Sequence, residues 1–131
     1  MILACDIGLK RIGLAMYAQK IILPLNSIKR INRKQASLEL LHLLETKKAT
    51  KLIVGLPHTC YTTRQRVLHF INLLNFAPVI YIEEDNSSVE ALTNLWYLSS
   101  KKRQKASKDG TLDSLAACEI LRRYLAQEIL V

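Results

Sequence analysis

Residues 3–16 read LACDIGLKRIGLAM, and the fold turns on how that stretch is read. Two apolar runs flank Gly8 and the basic pair Lys10-Arg11, so it reads as two strands, 2–7 and 12–18, joined by a turn. The first strand contains Asp6 in a segment otherwise built for burial. An ionised carboxylate is costly to bury alone, so Asp6 should be paired, hydrogen-bonded or metal-bound.

Outward from this hairpin, IILPL (21–25) extends a meander, with Pro24 marking an edge or a strand end. The period then changes. Ala36, Leu40, Leu43 and Leu44 recur at helical spacing and predict an amphipathic helix over 33–48. LIVGLP (52–57) and PVIYIE (78–83) read as strands buried on both faces. Between them, Val67, Phe70, Ile71 and Leu74 mark a helix over 63–75. Ser87 and Glu90 fit a capping box opening a helix over 88–99, and Thr111 can cap a last helix running to about 127. The order predicts one α/β domain over residues 1–131, its mixed sheet antiparallel at first and parallel after the helical crossovers.

At 131 residues the chain can bury a real core, and with half of it hydrophobic it is not a disordered polymer. No apolar run approaches the roughly 18 residues that span a bilayer. Met1 runs straight into a strand-like segment without a leader pattern, and Cys5, Cys60 and Cys118 are scattered. The expectation is a cytoplasmic protein with no membrane association. Nineteen Lys+Arg against eleven Asp+Glu give a net charge of +8, which favours a polyanionic partner. The excess is uneven, with ten bases and three acids in residues 1–60 against nine and eight in 61–131. KKRQKASK (101–108) holds five bases, whereas Glu83-Glu84-Asp85 is a tight acidic cluster. A basic chain with one such cluster reads as a polyanion binder holding a cation site.

The acids can be placed. Asp6 lies toward the end of the first strand and Glu83-Glu84 at the end of the last, where α/β sheets gather their sites. Side chains alternate along a strand, so only one of Glu83 and Glu84 shares a face with Asp6. Asp113 shares a helical face with Ala116, Ala117, Ile120 and Tyr124, so it points at the sheet. Taken singly, Asp6 also suits an Asp-x-Gly turn, Glu84 a solvated strand end, and Asp113 the first turn of a helix. Together, two acids at strand ends and a third facing them repel one another unless a cation binds. All-oxygen ligands suit Mg²⁺ or Mn²⁺, and a pair of such ions serves phosphodiester hydrolysis.

These residues resemble a family. DIGLKRIGLA (6–15), IVGLP (53–57), EEDNSSVEA (83–91) and LDSLAA (112–117) are similar, in order and spacing, to four motifs of the YqgF/RuvX proteins. The resemblance covers nearly the whole chain. It implies a ribonuclease H-like fold and a metal-dependent nuclease, most simply one processing the 5′ end of pre-16S ribosomal RNA. It places the catalytic, metal-binding acids on Asp6, Glu84 and Asp113, with two Mg²⁺ or Mn²⁺ ions expected. Gly8, Lys10 and Arg11 match the opening motif and are expected at the nucleic acid, joined by Arg64, Arg66, Lys101, Lys102, Arg103 and Lys105 as further backbone-phosphate contacts. One departure stands out: Asp85 occupies the position after the catalytic glutamate where the family usually has Arg.

Other readings predict different partners. A resolvase cutting four-way DNA junctions favours a homodimer, whereas RNA trimming is compatible with a monomer. An actin-like phosphotransferase needs two Asp-x-Gly lobes, and this length supplies one. A non-catalytic RNA-binding protein is compatible with the Asp85 departure. His42, His58 and His69 show no ligand spacing.

Overall fold

The computed structural model describes residues 1–57, 60–83 and 111–130. Strands β1 (Ile2–Ile7), β2 (Arg11–Ala18) and β3 (Ile21–Lys29) form the predicted meander. Helix α1 (Arg33–Thr46), β4 (Lys51–Leu56), α2 (Tyr61–Leu74) and β5 (Val79–Glu83) follow, and α3 spans Thr111–Leu130. The five strands lie in the order β3-β2-β1-β4-β5, with β1 antiparallel to β2 and parallel to β4. The expected mixed sheet is therefore present, and Pro24 does lie on an edge strand.

Boundaries differ where chemistry outweighs hydrophobic pattern. β3 runs on to Lys29, four residues beyond the apolar run, because its register with β2 continues through Arg11↔Lys29. Thr111, expected as a cap, is the first residue of α3. At the start of α1, Asn32 accepts from the Gln35 backbone N–H at 2.8 Å, and the Gln35 side chain accepts from the Asn32 N–H at 3.3 Å. This reciprocal cap fixes where the chain leaves β3 and enters the helix. The expected helix over 88–99, its Ser87/Glu90 box and the basic segment 101–108 lie outside the described residues.

The sheet divides the core into two layers. On one face α1 and α2 bring Leu40, Leu44, Val67, Phe70 and Leu74 against Leu3, Cys5, Leu14 and Val54. On the other, α3 brings Ala117, Ile120, Leu121 and Tyr124 against Ala4, Ala15, Ile53 and Ile82. The faces of α1, α2 and α3 anticipated from periodicity are thus the buried ones, whereas β5, expected to be buried on both faces, is an edge strand with Tyr81 exposed. Emptying the Phe70 position to Ala would cost about 3–5 kcal/mol on the usual scale for large core residues. Alternation along β1 follows from this division: Ala4 and Asp6 face α3, whereas Leu3, Cys5 and Ile7 face α1 and α2.

Candidate active site

Asp6 pairs across the β1–β2 ladder with Gly13. Above that glycine the first turn of α3 descends so closely that a Cβ on Gly13 would lie 2.0 Å from the Asp113 carbonyl oxygen. The missing side chain is what allows the helix to settle there. Asp6 and Asp113 are therefore brought onto one face of the sheet through a single shared neighbour, although 107 positions separate them in sequence.

Ser114 secures the contact. Between Ile12 and Leu14 the β2–β3 register shifts, and β3 carries one residue more than β2. The Ser114 hydroxyl enters that irregularity, donating to the Leu25 carbonyl at 2.7 Å and accepting from the Leu14 N–H at 3.4 Å. A bulge leaves ladder groups unsatisfied; here a side chain from the overlying helix replaces the missing partner. Arg123, farther along α3, donates to the Glu83 carbonyl at 3.1 Å and fixes the end of β5. Sequence reading singled out neither residue; the only trace of Ser114 was its place beside an acid in LDSLAA.

The environment of Asp113 is half-buried, and burial pushes its carboxyl pKa up, while the nearby Arg11 guanidinium draws it back down. Arg11 is not a solvated turn base. It opens β2, is partly buried, and its Nη1 is buried with no hydrogen-bond partner among the described residues. A cation beside the desolvated acid offsets part of the cost of keeping that acid ionised. Lys10, by contrast, is exposed in the turn.

Gly8 has a structural reason of its own. Its N–H donates to the Arg11 carbonyl at 3.0 Å, and a Cβ there would meet that oxygen at 2.6 Å. Arg64 donates to the Pro57 carbonyl at 3.4 Å, beside the start of α2, while Arg66 is exposed. Ile80 and Ile82 of β5 pack on the α3 face, so alternation places Glu83 on the opposite face from Asp6. Glu84, Asp85, Lys101, Lys102, Arg103 and Lys105 lie outside the described residues. Among the described residues no three His, Cys, Asp or Glu side chains gather as a metal site.

The model of the family described as RuvX, Holliday junction resolvase, matches residues 1–127. The chain belongs to the RuvX family. Relatives named "Putative pre-16S rRNA nuclease" include one from Helicobacter pylori strain G27, 52% identical over 129 residues, spanning 97% of this chain and 96% of its own. Another, from Helicobacter hepaticus, is 48% identical with the same coverage, and one from Sulfurovum sp. is 39% identical over 94% of this chain and 96% of its own. RuvX proteins are nucleases, hydrolases of the kind that generally works with divalent metal ions.

The architecture is that of RuvC-like resolvases, which have a ribonuclease H-like fold. Fowlpox virus resolvase, solved with Holliday junction DNA, superposes with a TM-score of 0.57 at 16% identity, covering 99% of both chains. Thermus thermophilus RuvC, also solved with its Holliday junction substrate, gives 0.55 at 14% identity over 97% of this chain and 96% of its own. No helix among the described residues is long and apolar enough to cross a membrane.

Proposed function

We propose that this RuvX protein is a metal-dependent nuclease whose catalytic carboxylates are Asp6, Glu84 and Asp113. The observation that carries the reading is the approach of α3 to Gly13, which sets Asp113 over the strand pair that holds Asp6. The all-oxygen donors and the desolvation of Asp113 fit a hard divalent cation such as Mg²⁺ or Mn²⁺. Glu83 faces away from Asp6, and Glu84 is taken as the third acid because EEDNSSVEA (83–91) resembles the family motif that carries one there. Divalent ions, when bound, supply water activation and charge neutralisation at the leaving oxygen.

The chain's own residues do the rest. Gly13 and Ser114 hold the helix that carries Asp113 against β2, the strand paired with that of Asp6, and Arg11 favours the ionised form of Asp113. The Gly8–Arg11 turn, at the carboxyl end of β1, is where substrate backbone would come near. The substrate supported best is a structured ribosomal RNA precursor, cut at the 5′ end of pre-16S RNA, because relatives sharing about half of this sequence carry that name. Branched DNA is the second reading, favoured by the likeness in fold to two resolvases solved with Holliday junctions.

A side-by-side cleavage assay on precursor ribosomal RNA and a four-way DNA junction, with Mg²⁺, Mn²⁺ and EDTA, separates these readings. Cleavage of the RNA, lost in EDTA and in Asp6→Asn, Glu84→Gln and Asp113→Asn, is the expected result. Cleavage of the junction alone would move the substrate to DNA. Binding without cleavage of either substrate, with either metal, would replace the enzyme with an RNA-binding protein.

A further inference from the structure

On the other face of the sheet from Asp6, three guanidinium groups converge from three separate elements. Arg30 follows β3, Arg33 opens α1 and Arg66 lies in α2. They line one pocket of about 330 Å³ together with Gln65 and His69. A second pocket of about 160 Å³ shares Arg30 and Arg66 and reaches Gly8, Leu9, Thr63 and Val67. The described lining of both pockets contains no carboxylate. Proximity is reflected in Arg30 itself, whose pKa is drawn down by burial first and then by Arg33 and Arg66. Like charges so gathered repel, and an anion between them relieves the repulsion.

Arg30 is held as a fixed wall of this cleft. Its Nη1 donates to the Gly8 carbonyl at 2.6 Å, its backbone N–H donates to the Lys10 carbonyl at 2.8 Å, and its guanidinium lies 5.0 Å from the Phe70 ring centroid. That last distance is within cation–π range. Arg33 and Arg66 are exposed, so their donors are available from solvent. The cleft also touches the turn that follows Asp6, and two residues of extended chain, from Asp6 to Gly8, cover only about 7 Å.

We propose that Arg30, Arg33 and Arg66 form a phosphate subsite that grips the nucleic-acid backbone beside the cleavage site. The strand would pass over the Gly8 turn, with one phosphate at the carboxylates and a neighbouring one between the guanidiniums. Planar guanidinium forks suit phosphate oxygens better than lysine does. The inference rests on the nucleic-acid reading of the site, but its test does not depend on cleavage.

Binding of a fluorescent single-stranded RNA is measured by anisotropy without divalent ions, across salt concentrations, for the wild type and R33Q/R66Q. Arg30 is left intact because it supports the turn. Each lost phosphate contact should flatten the log K against log salt slope by about 0.7 for a single strand. The double variant is therefore expected to flatten it by roughly 0.7–1.4 and to bind about tenfold more weakly near 0.1 M salt, with an unchanged melting temperature. R33K/R66K should recover the slope but only part of the affinity. A scan of single methylphosphonate links identifies the strand phosphate: one position should weaken the wild type and leave R33Q/R66Q unaffected. Inorganic phosphate as competitor should displace RNA from the wild type only at far higher concentration than unlabelled RNA does. Equal potency of the two would assign the cleft to free phosphate and overturn the proposal. So would an unchanged slope in R33Q/R66Q. If those arms succeed while neither nucleic acid is ever cut, the nuclease reading fails and the subsite stands.

Discussion

The two faces of the sheet at the carboxyl end of β1 are built on opposite principles. On the α3 face, backbone contact seats the helix that carries Asp113 over the β1–β2 pair: Gly13 lies under the Asp113 carbonyl, and Ser114 is set into the β2–β3 ladder. On the α1/α2 face, arginines converge through flexible side chains on separate elements, and only Arg30 is fixed by bonds to the turn. Chemistry needs carboxylates held to within a fraction of an ångström, whereas phosphate gripping tolerates adjustment. The contrast predicts that mutations on the first face act on cleavage and folding, and those on the second on binding.

The largest effect expected is on turnover. Asp6→Asn and Asp113→Asn should each lower kcat by at least about a thousandfold, equivalent to about 4 kcal/mol of transition-state stabilisation. RNA affinity without metal should fall little or even rise, as a negative charge is removed near phosphates. Comparable losses in affinity and in rate would collapse the division of labour between the faces.

Gly13→Ala comes next. The added Cβ would be 2.0 Å from a backbone oxygen that cannot swing aside, so β2 and α3 must separate. Overpacking of this kind costs about 1–3 kcal/mol and occasionally more, and the upper end is expected here, with a fall in Tm of about 10 °C. Cleavage should fail even below the new Tm, because displacement of the helix carries Asp113 with it. A variant that melts early but cuts normally would show that the backbone approach serves stability alone.

The two faces also differ in how they treat a thiol. Cys60, at the start of α2, is exposed, and hydrogen bonds from Thr63 and Thr62 lower its pKa to about 7, with a small contribution from Arg66. Cys118, on α3, is pushed up to about 11 by burial and then by Glu119. A lowered pKa places the thiolate at and above neutrality, so iodoacetamide labelling of Cys60 should rise through pH 7 and level off by about pH 8. Cys118 should still be accelerating at pH 9. Peptide mass mapping after timed labelling at pH 7.5 should find Cys60 modified more than tenfold faster, the thiolate advantage being reduced by its lower intrinsic nucleophilicity. Equal rates would mean that the Thr62 and Thr63 contacts do not persist in solution.

How much of this was legible in the sequence follows the same division. The hairpin around Asp6, the buried faces of α1, α2 and α3 and the orientation of Asp113 toward the sheet all arise from patterns within one element, and periodicity reads those. Convergence between elements has no such signature. Arg30, Arg33 and Arg66 meet only because α1 packs beside α2, and nothing in the spacing of 30, 33 and 66 encodes that. Arg11 shows the same limit: its sequence neighbours make a turn, yet its register with Lys29 makes it the first residue of β2, where its charge acts on Asp113. Ser114 and Gly13 were invisible because a bulge on an edge pair and a close backbone approach are properties of two surfaces meeting. For the acids, the family motifs are what favour Glu84 over Glu83, which alternation alone left level.

Ser114→Ala removes the hydroxyl that bridges α3 to the Leu14 and Leu25 backbone groups. A buried acceptor and donor lose their partner together, at a cost of about 1–3 kcal/mol. Thermal melting should register that, and kcat should drop several-fold with KM little changed, since what loosens is the seat of Asp113. Ser114→Thr retains the hydroxyl and serves as the control: if it restores Tm but not kcat, the hydroxyl is structural and the link to the acid is wrong.

Asn32→Ala is the smallest perturbation and the sharpest probe of the other face. It removes one half of the reciprocal cap at the start of α1, for about 1 kcal/mol, or a few degrees in Tm. The cap lies between Arg30 and Arg33, so fraying it frees Arg33 while leaving every contact around Asp6 and Asp113 in place. RNA affinity should fall about twofold to threefold and kcat at saturating substrate should hold. Asn32→Asp keeps the cap and should restore Tm, yet it adds a negative charge beside the guanidiniums. Its affinity should therefore stay low while its stability recovers. A variant that regained both would mean that the charge around Arg33 does not contribute to binding, and the two faces would no longer differ in the way their architecture implies.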